Sequence, residues 1–204
     1  MATTISRAAE AIGLAERPTI HVRIPDDRAP VLDGLPRLVE RAQRNDRDAF
    51  GDLYRLYHGA VFRLARFHLG SGAEDIAAET FLRAWVALPR YRNTGAPFVA
   101  WLYGIARHVV ADELAARRRV EPRAEPPDDS TNPGPDERLG QDDRLALAMA
   151  IARLPQAQRR VVELKFLIGL SNAEVAKAFG KTTGAINAMQ WRALRTLRRM
   201  LVDR

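Results

Sequence analysis

Residues 73–119, AEDIAAETFLRAWVALPRYRNTGAPFVAWLYGIARHVVADELAARRR, carry two long helical patterns joined by a loop too short to bury either of them. The first pattern predicts a helix from about Ala73 to Leu88. Glu74 and Asp75 stand in its first turn, where carboxylates suit the helix dipole and the free amides, and Pro89 closes it. Ile76, Phe81, Ala84 and Leu88 form a core stripe of 3.6-residue period. Ala78, Leu82, Trp85 and Val86 fall largely off that stripe and give more apolar surface than one core can use. Two readings fit this helix taken alone: burial on several sides of its own domain, or docking of a partner.

The loop that follows, Arg90-Tyr91-Arg92-Asn93-Thr94-Gly95, places two cations beside an aromatic ring and an amide. That chemistry holds phosphates and stacks or hydrogen-bonds an unpaired base. Pro97 suits the first position of a second long helix, with Phe98, Leu102, Ile105, Val109 and Leu114 as its core stripe. Tyr103, Arg107 and Ala111 are expected on the opposite side. The closing run Arg117-Arg118-Arg119 reads as a solvated helix end with a favourable dipole interaction.

Outward from this unit, Asp46 is placed to cap a helix whose inner face holds Phe50, Leu53, Tyr57, Val61, Leu64 and Ala65, and Gly70-Ser71-Gly72 ends it. A shorter helix with Leu38, Val39 and Ala42 precedes it. Residues 1–36 show no sustained period and are expected to form a mobile extension. Residues 120–143 hold five Pro and eight acids but almost no large apolar group, the composition of an extended, flexible acidic linker. Helix returns near Arg144, and Leu147, Ile151, Leu154, Val161, Leu164 and Phe166 can share a core. Ser171 then caps NAEVAKAF with Glu174 as the capping-box partner, Gly180 makes a turn, and a last helix starts near Thr183. This is a helix-turn-helix pattern, with Val175, Phe179, Ile186 and Leu194 packing the pair. Lys181, Thr182, Asn187, Trp191, Arg192 and Arg195 are placed to project from the start and outer face of the last helix. Trp191 can cover a thymine methyl or complete the core, and taken alone the core reading is the safer one.

The 204 residues suffice for two small domains. With no Cys there is no disulfide framework and no thiolate site, and the four His show no metal-ligand spacing. Gly180-Lys181-Thr182 ends like a phosphate-binding loop but follows a helix and lacks the earlier glycine. No catalytic constellation, cofactor site or membrane span is expected. The net charge of +7 is unevenly spread. Residues 37–119 carry 14 Lys and Arg against 9 Asp and Glu, residues 144–204 carry 12 against 3, and the linker between them 2 against 8. Two basic blocks flanking an acidic connector suit two modules that face nucleic acid.

Together, AEDIAAETFLRAW, the PRYR loop and PFVAWLYGIARHVVADELAARRR resemble the second conserved region of bacterial sigma factors of the small extracytoplasmic-function type, although the family often has Gln in place of Ala78 and Asn in place of His108. LPQAQRRVVELKFLIGLSNAEVAKAFGKTTGAINAMQWRALRTLRRML resembles their fourth region, where the family commonly has Thr-Val, a basic residue, Ser and Arg in place of Ala185 to Met189. The resemblance implies an all-α protein of two small helical domains: region two over 37–119, the linker over 120–143, and region four over 144–204. It implies a cytoplasmic, non-enzymatic factor that binds core RNA polymerase through the β′ clamp and β flap, with promoter DNA and an anti-sigma protein as further partners. Asp75, Glu79, Leu82 and Trp85 are then expected on the polymerase. Arg90, Tyr91, Arg92, Asn93, Thr94, Arg107 and His108 are expected on the −10 element, and Lys181, Thr182, Asn187, Ala188, Trp191, Arg192 and Arg195 on the −35 element. The alternatives are a free-standing operator-binding regulator and a mimic that titrates an anti-sigma protein.

Overall fold

The computed structural model describes residues 29–120 and 140–202. Among these residues there is no strand, and the helices fall into two compact units. The first comprises α1 (Ala29–Gln43), α2 (Arg47–Leu69), α3 (Ala73–Ala87), a 3₁₀ turn (Leu88–Arg90) and α4 (Phe98–Val120). The second comprises α5 (Gln141–Ala152), α6 (Gln156–Val162), a π-helical segment (Glu163–Ile168), α7 (Asn172–Phe179) and α8 (Thr183–Val202). Most of the expected N-terminal extension and linker lies outside the described residues.

Local chemistry sets the boundaries of α2 and α3. Asp46 caps α2 by accepting from Ala49 N–H at 3.0 Å, and its other carboxylate oxygen pairs with Arg41 at 2.6 Å. At the far end Gly70 takes φ 71° and donates to Arg66 C=O at 2.9 Å. Gly72, at φ 78°, opens α3 without a side-chain cap, so Glu74 and Asp75 are the groups that complement its first turn. A Cβ on Gly72 would also lie 3.1 Å from Arg117 Nη2. Arg117 is therefore no solvated helix end. Its guanidinium pairs with Glu113 and donates to Leu69 C=O and Ser71 C=O, tying the end of α4 to the α2–α3 turn.

The first core is built from α2, α3 and α4. Ala65, Leu69, Ala73, Ile76, Val109 and Val110 pack together, flanked by Phe62, Ile105 and Leu114. The expected α3 stripe is buried throughout, and Thr80, also buried, turns its hydroxyl onto Ile76 C=O at 2.7 Å. Tyr103 departs from expectation: instead of facing away it is fully buried. Both α2 and α3 pack on α4, so α4 buries a second stripe, Val99, Tyr103, Ala106 and Val110, beside the first. Two further boundaries move. The helix expected after Pro36 starts at Ala29, with Pro30 in its first turn, where a missing N–H costs nothing, and Pro36 inside it. The helix expected near Arg144 starts at Gln141, with Asp142 and Asp143 in its first turn.

In the second unit α8 packs against α5, α6 and α7. Leu147, Ile151 and Leu154 meet Val161, Leu164, Val175, Ile186 and Leu197 in its core. Phe166 is only half-buried, because the chain leaves α-helical geometry at Glu163 and the π-helical turn shifts the faces that follow. Ser171 and Glu174 form the expected capping box, and Gly180 takes the left-handed conformation at φ 59° and ψ 38°.

Candidate protein-docking and nucleic-acid interfaces

The outer face of α3 is the first candidate surface. Asp75, Ala78, Glu79, Leu82, Trp85 and Val86 recur at three- and four-residue intervals and lie on one side of the helix. Leu82 is 60% exposed and Val86 72% exposed, and Asp75 and Ala78 are exposed beside them. Trp85 behaves differently from Leu82: it is half-buried, with its ring centroid 4.8 Å from that of Phe50 in α2. Glu79 pairs with Arg83 at 2.7 Å, and Arg83 reaches Asp112 on α4 at 2.8 Å. Those two carboxylates raise the pKa of the guanidinium and keep it charged. Val86, the most exposed large apolar group of this face, joins Leu82 on it although the resemblance does not point to it, and its position off the core stripe is the signal for it.

The loop after α3 is held by a residue that sequence reasoning missed. Gln43 Nε2, at the end of α1, donates to Tyr91 C=O at 2.8 Å and to Leu88 C=O at 3.2 Å. Tyr91 is half-buried rather than free, its ring lying 5.4 Å from Phe98 and 5.0 Å from Trp101, centroid to centroid. Burial raises its phenol pKa, so the group is an O–H donor at neutral pH. Arg90, Arg92, Asn93 and Thr94 are exposed. Asn93 Oδ1 accepts from Gly95 N–H at 3.0 Å, which shapes the turn.

Trp101 is the second residue missed. It is half-exposed beside Tyr91, and helical spacing puts Trp101, Gly104 and His108 in one line along α4. His108 is exposed, with Nδ1 bonded to Gly104 C=O at 2.7 Å. Nδ1 is thereby the protonated nitrogen and Nε2 points outward as an acceptor in the neutral ring. At about 1.5 Å per residue the ledge from Trp101 to His108 runs roughly 10 Å, long enough for one or two nucleotides. Arg107 is half-exposed on the adjacent line.

The third surface is the outer face of α8. Thr182 caps the helix, its Oγ1 accepting from Ala185 N–H at 3.2 Å, and Lys181, Thr182, Asn187, Ala188, Arg192 and Arg195 are all exposed. Trp191 overturns the core reading: it is 60% exposed, with the Arg195 guanidinium 4.9 Å from its ring centroid. The core at this level is filled instead by Ile186, Ala193 and Leu194. Asn187 is not free, because Asn172 Nδ2, on the first turn of α7, donates to its Oδ1. Among the described residues no cluster of His, Asp and Glu is arranged to hold a metal, and no helix is long and apolar enough to cross a membrane.

Residues 53–120 match the family model for sigma-70 region 2, and residues 144–197 match that for sigma-70 region 4. The chain is 41% identical to the ECF RNA polymerase sigma factor BldN of Streptomyces coelicolor over 189 residues, covering 86% of this chain and 70% of BldN. It is 36% identical to the ECF RNA polymerase sigma factor SigD of Mycobacterium tuberculosis over 178 residues, covering 82% of this chain and 84% of SigD. The fold also matches the sigma factor RpoE solved in complex with the anti-sigma factor NepR from Bartonella quintana. That match has a TM-score of 0.51 at 24% identity and covers 76% of this chain and 98% of RpoE.

Proposed function

The chain belongs to the extracytoplasmic-function family of RNA polymerase sigma factors, and from that premise we propose which of its surfaces performs each step of initiation. As a member of the family it binds core RNA polymerase and directs it to promoter DNA, while the polymerase carries out the catalysis. The outer face of α3 docks on the polymerase through Leu82 and Val86, with Asp75 and Glu79 as the charged rim. The observation that carries this assignment is the exposure of those two aliphatic side chains on a helix whose opposite side is fully buried.

Strand separation follows from the loop and the ledge behind it. Sigma has no nucleotide motor, so it can only capture bases that become unpaired. An aromatic–base stack is worth about 1–3 kcal/mol, comparable with the few kcal/mol needed to unstack one base. Tyr91 and Trp101 supply the stacking surface for a −10 base, Asn93 supplies an amide, and Arg90, Arg92 and Arg107 supply phosphate contacts. The half-buried seat of Tyr91 supports this role, because a ring already packed on Phe98 and Trp101, on a backbone whose carbonyl is held by Gln43, loses little further ordering entropy on binding. The outer face of α8 reads the −35 element. Working with the polymerase, the protein acts in the cytoplasm, and an anti-sigma protein is its candidate regulator, as NepR is the partner of RpoE in the solved complex.

Co-purification with core polymerase is the direct test. The full chain should enter a stoichiometric complex with core enzyme and, in that complex, retard promoter DNA. Sequence-specific retardation by the chain alone, with no polymerase complex, favours a free-standing operator-binding regulator instead.

A further inference from the structure

One amide ties α7 to the DNA-facing side of α8. Asn172 Nδ2 donates to Asn187 Oδ1 and, at 3.0 Å, to Gln190 Oε1, while its own Oδ1 is buried without a hydrogen-bond partner. Both N–H groups of this amide are thus committed to α8. Asn187 is exposed, one helical turn before Trp191 and on the same outer face.

An unrestrained Asn reads adenine with both ends of its amide, Oδ1 accepting from N6 and Nδ2 donating to N7. In this chain Oδ1 of Asn187 is turned inward onto Asn172, which leaves the Nδ2 hydrogens to face outward. A donor alone is best satisfied by a base edge that offers acceptors only: guanine, with N7 and O6, or thymine, with O4. Cytosine offers a donor at this edge, and adenine keeps an unpaired donor beside its N7.

We propose that Asn172 is a positioning residue for promoter readout, which by holding Oδ1 of Asn187 converts a two-ended adenine reader into a donor-only reader of guanine or thymine. The neighbouring side chains fit that role. Ala188 has no polar group to compete for the same edge, and the exposed Trp191 ring one turn on offers an apolar surface to a thymine methyl. The inference rests on α8 reading the −35 element.

The experiment selects promoters from a library randomised through the −35 element, using core polymerase reconstituted with the full-length chain or its variants. Asn187→Ala identifies the base position concerned, as the one where preference flattens. At that position the native chain should favour guanine or thymine by about tenfold over cytosine, the scale of one good base contact. Asn172→Asp keeps the shape but can only accept, so it should turn Asn187 Nδ2 inward and Oδ1 outward and move the preference to adenine or cytosine, whose edges carry donors. Asn172→Leu releases Asn187 and should favour adenine alone. Circular dichroism and melting temperature establish that each variant is folded, and selectivity is read as a ratio between bases in the same pool. A native preference for adenine or cytosine at this position overturns the proposal, as does an Asn172→Asp profile equal to the native one. Trp191→Ala with Arg192→Ala separates the two levels. If that pair leaves the whole −35 profile intact, α8 is not the reader; if it changes the profile while Asn172→Asp does not, only the positioning role fails.

Discussion

Replacing Leu82 and Val86 together by Ala should weaken binding of core polymerase by about 30-fold while leaving the fold almost untouched. Full burial of a Leu or Val side chain is worth about 1.5–3 kcal/mol. With 60% of Leu82 and 72% of Val86 still in water, docking has about 1–2 kcal/mol to gain from each. Ala keeps part of that surface, so the double variant should lose about 2 kcal/mol, or roughly 30-fold in Kd. The same exposure means that little is lost within the free protein, and surface changes of this kind usually stay within about 0.5 kcal/mol of stability. Phe81→Ala, one residue away but buried, is the control: it should cost about 3–5 kcal/mol of stability, and its binding should fall only as its folded fraction falls. The assay is a fluorescence-anisotropy titration of labelled chain with core polymerase, run beside thermal melting of each variant. An unchanged Kd for the double variant, or a loss of affinity that merely tracks melting temperature, refutes docking through this face.

Other consequences follow from named contacts. Arg117→Ala removes the tie to Leu69, Ser71 and Glu113 and should destabilise the protein by about 2 kcal/mol in urea unfolding, the scale of a charged hydrogen-bond donor lost from a half-buried site. Gln43→Ala releases the loop carbonyls of Leu88 and Tyr91 and should spare polymerase binding while reducing permanganate-detected opening on a linear promoter. A pre-melted template should restore it. Trp191→Ala should shift melting temperature little, because the ring is mostly in water, yet weaken duplex promoter binding by about tenfold if the ring covers a base edge. The Asp46 carboxyl is held below its usual range, first by the Ala49 N–H and then by Arg41. Its stabilising contribution is therefore complete above the ordinary carboxylate pKa and is lost as pH falls through the lowered folded value. Asp46→Asn should flatten that acid-side slope in a pH series of melting curves.

The helices and their ends were legible because they are encoded locally. Asp46, the Ser171–Glu174 box, Gly70 and Gly180 each act within a few residues of themselves, and the structure uses each as expected. The core stripe of α3 was equally readable, since one face repeating every 3.6 residues needs no knowledge of the partner helix. What sequence could not show depends on residues distant in the chain. Tyr103 lies off the single stripe that periodicity shows and so reads as outward, whereas two helices cover α4 and bury it. Gln43 reaches carbonyls more than forty residues away, and Trp101 matters only because the loop folds Tyr91 back upon it. Trp191 was legible from its place on the outer face of the last helix and not from its size. A large ring is usually a core residue, but here Ala193 and Leu194 already fill that space. The π-helical turn at Glu163–Ile168 has no signature in residue periodicity, so the half-exposed Phe166 was beyond reach as well.

Run-off transcription from a randomised promoter library, with core polymerase alone and with core polymerase plus this chain, tests the central claim most directly. The account predicts start sites that appear only when the chain is added and that share two sequence elements: an upstream one altered by changes on α8, and a downstream one altered by changes in the Tyr91 loop. Transcripts indifferent to the chain, or chain-dependent transcripts whose two elements ignore both sets of changes, would contradict it.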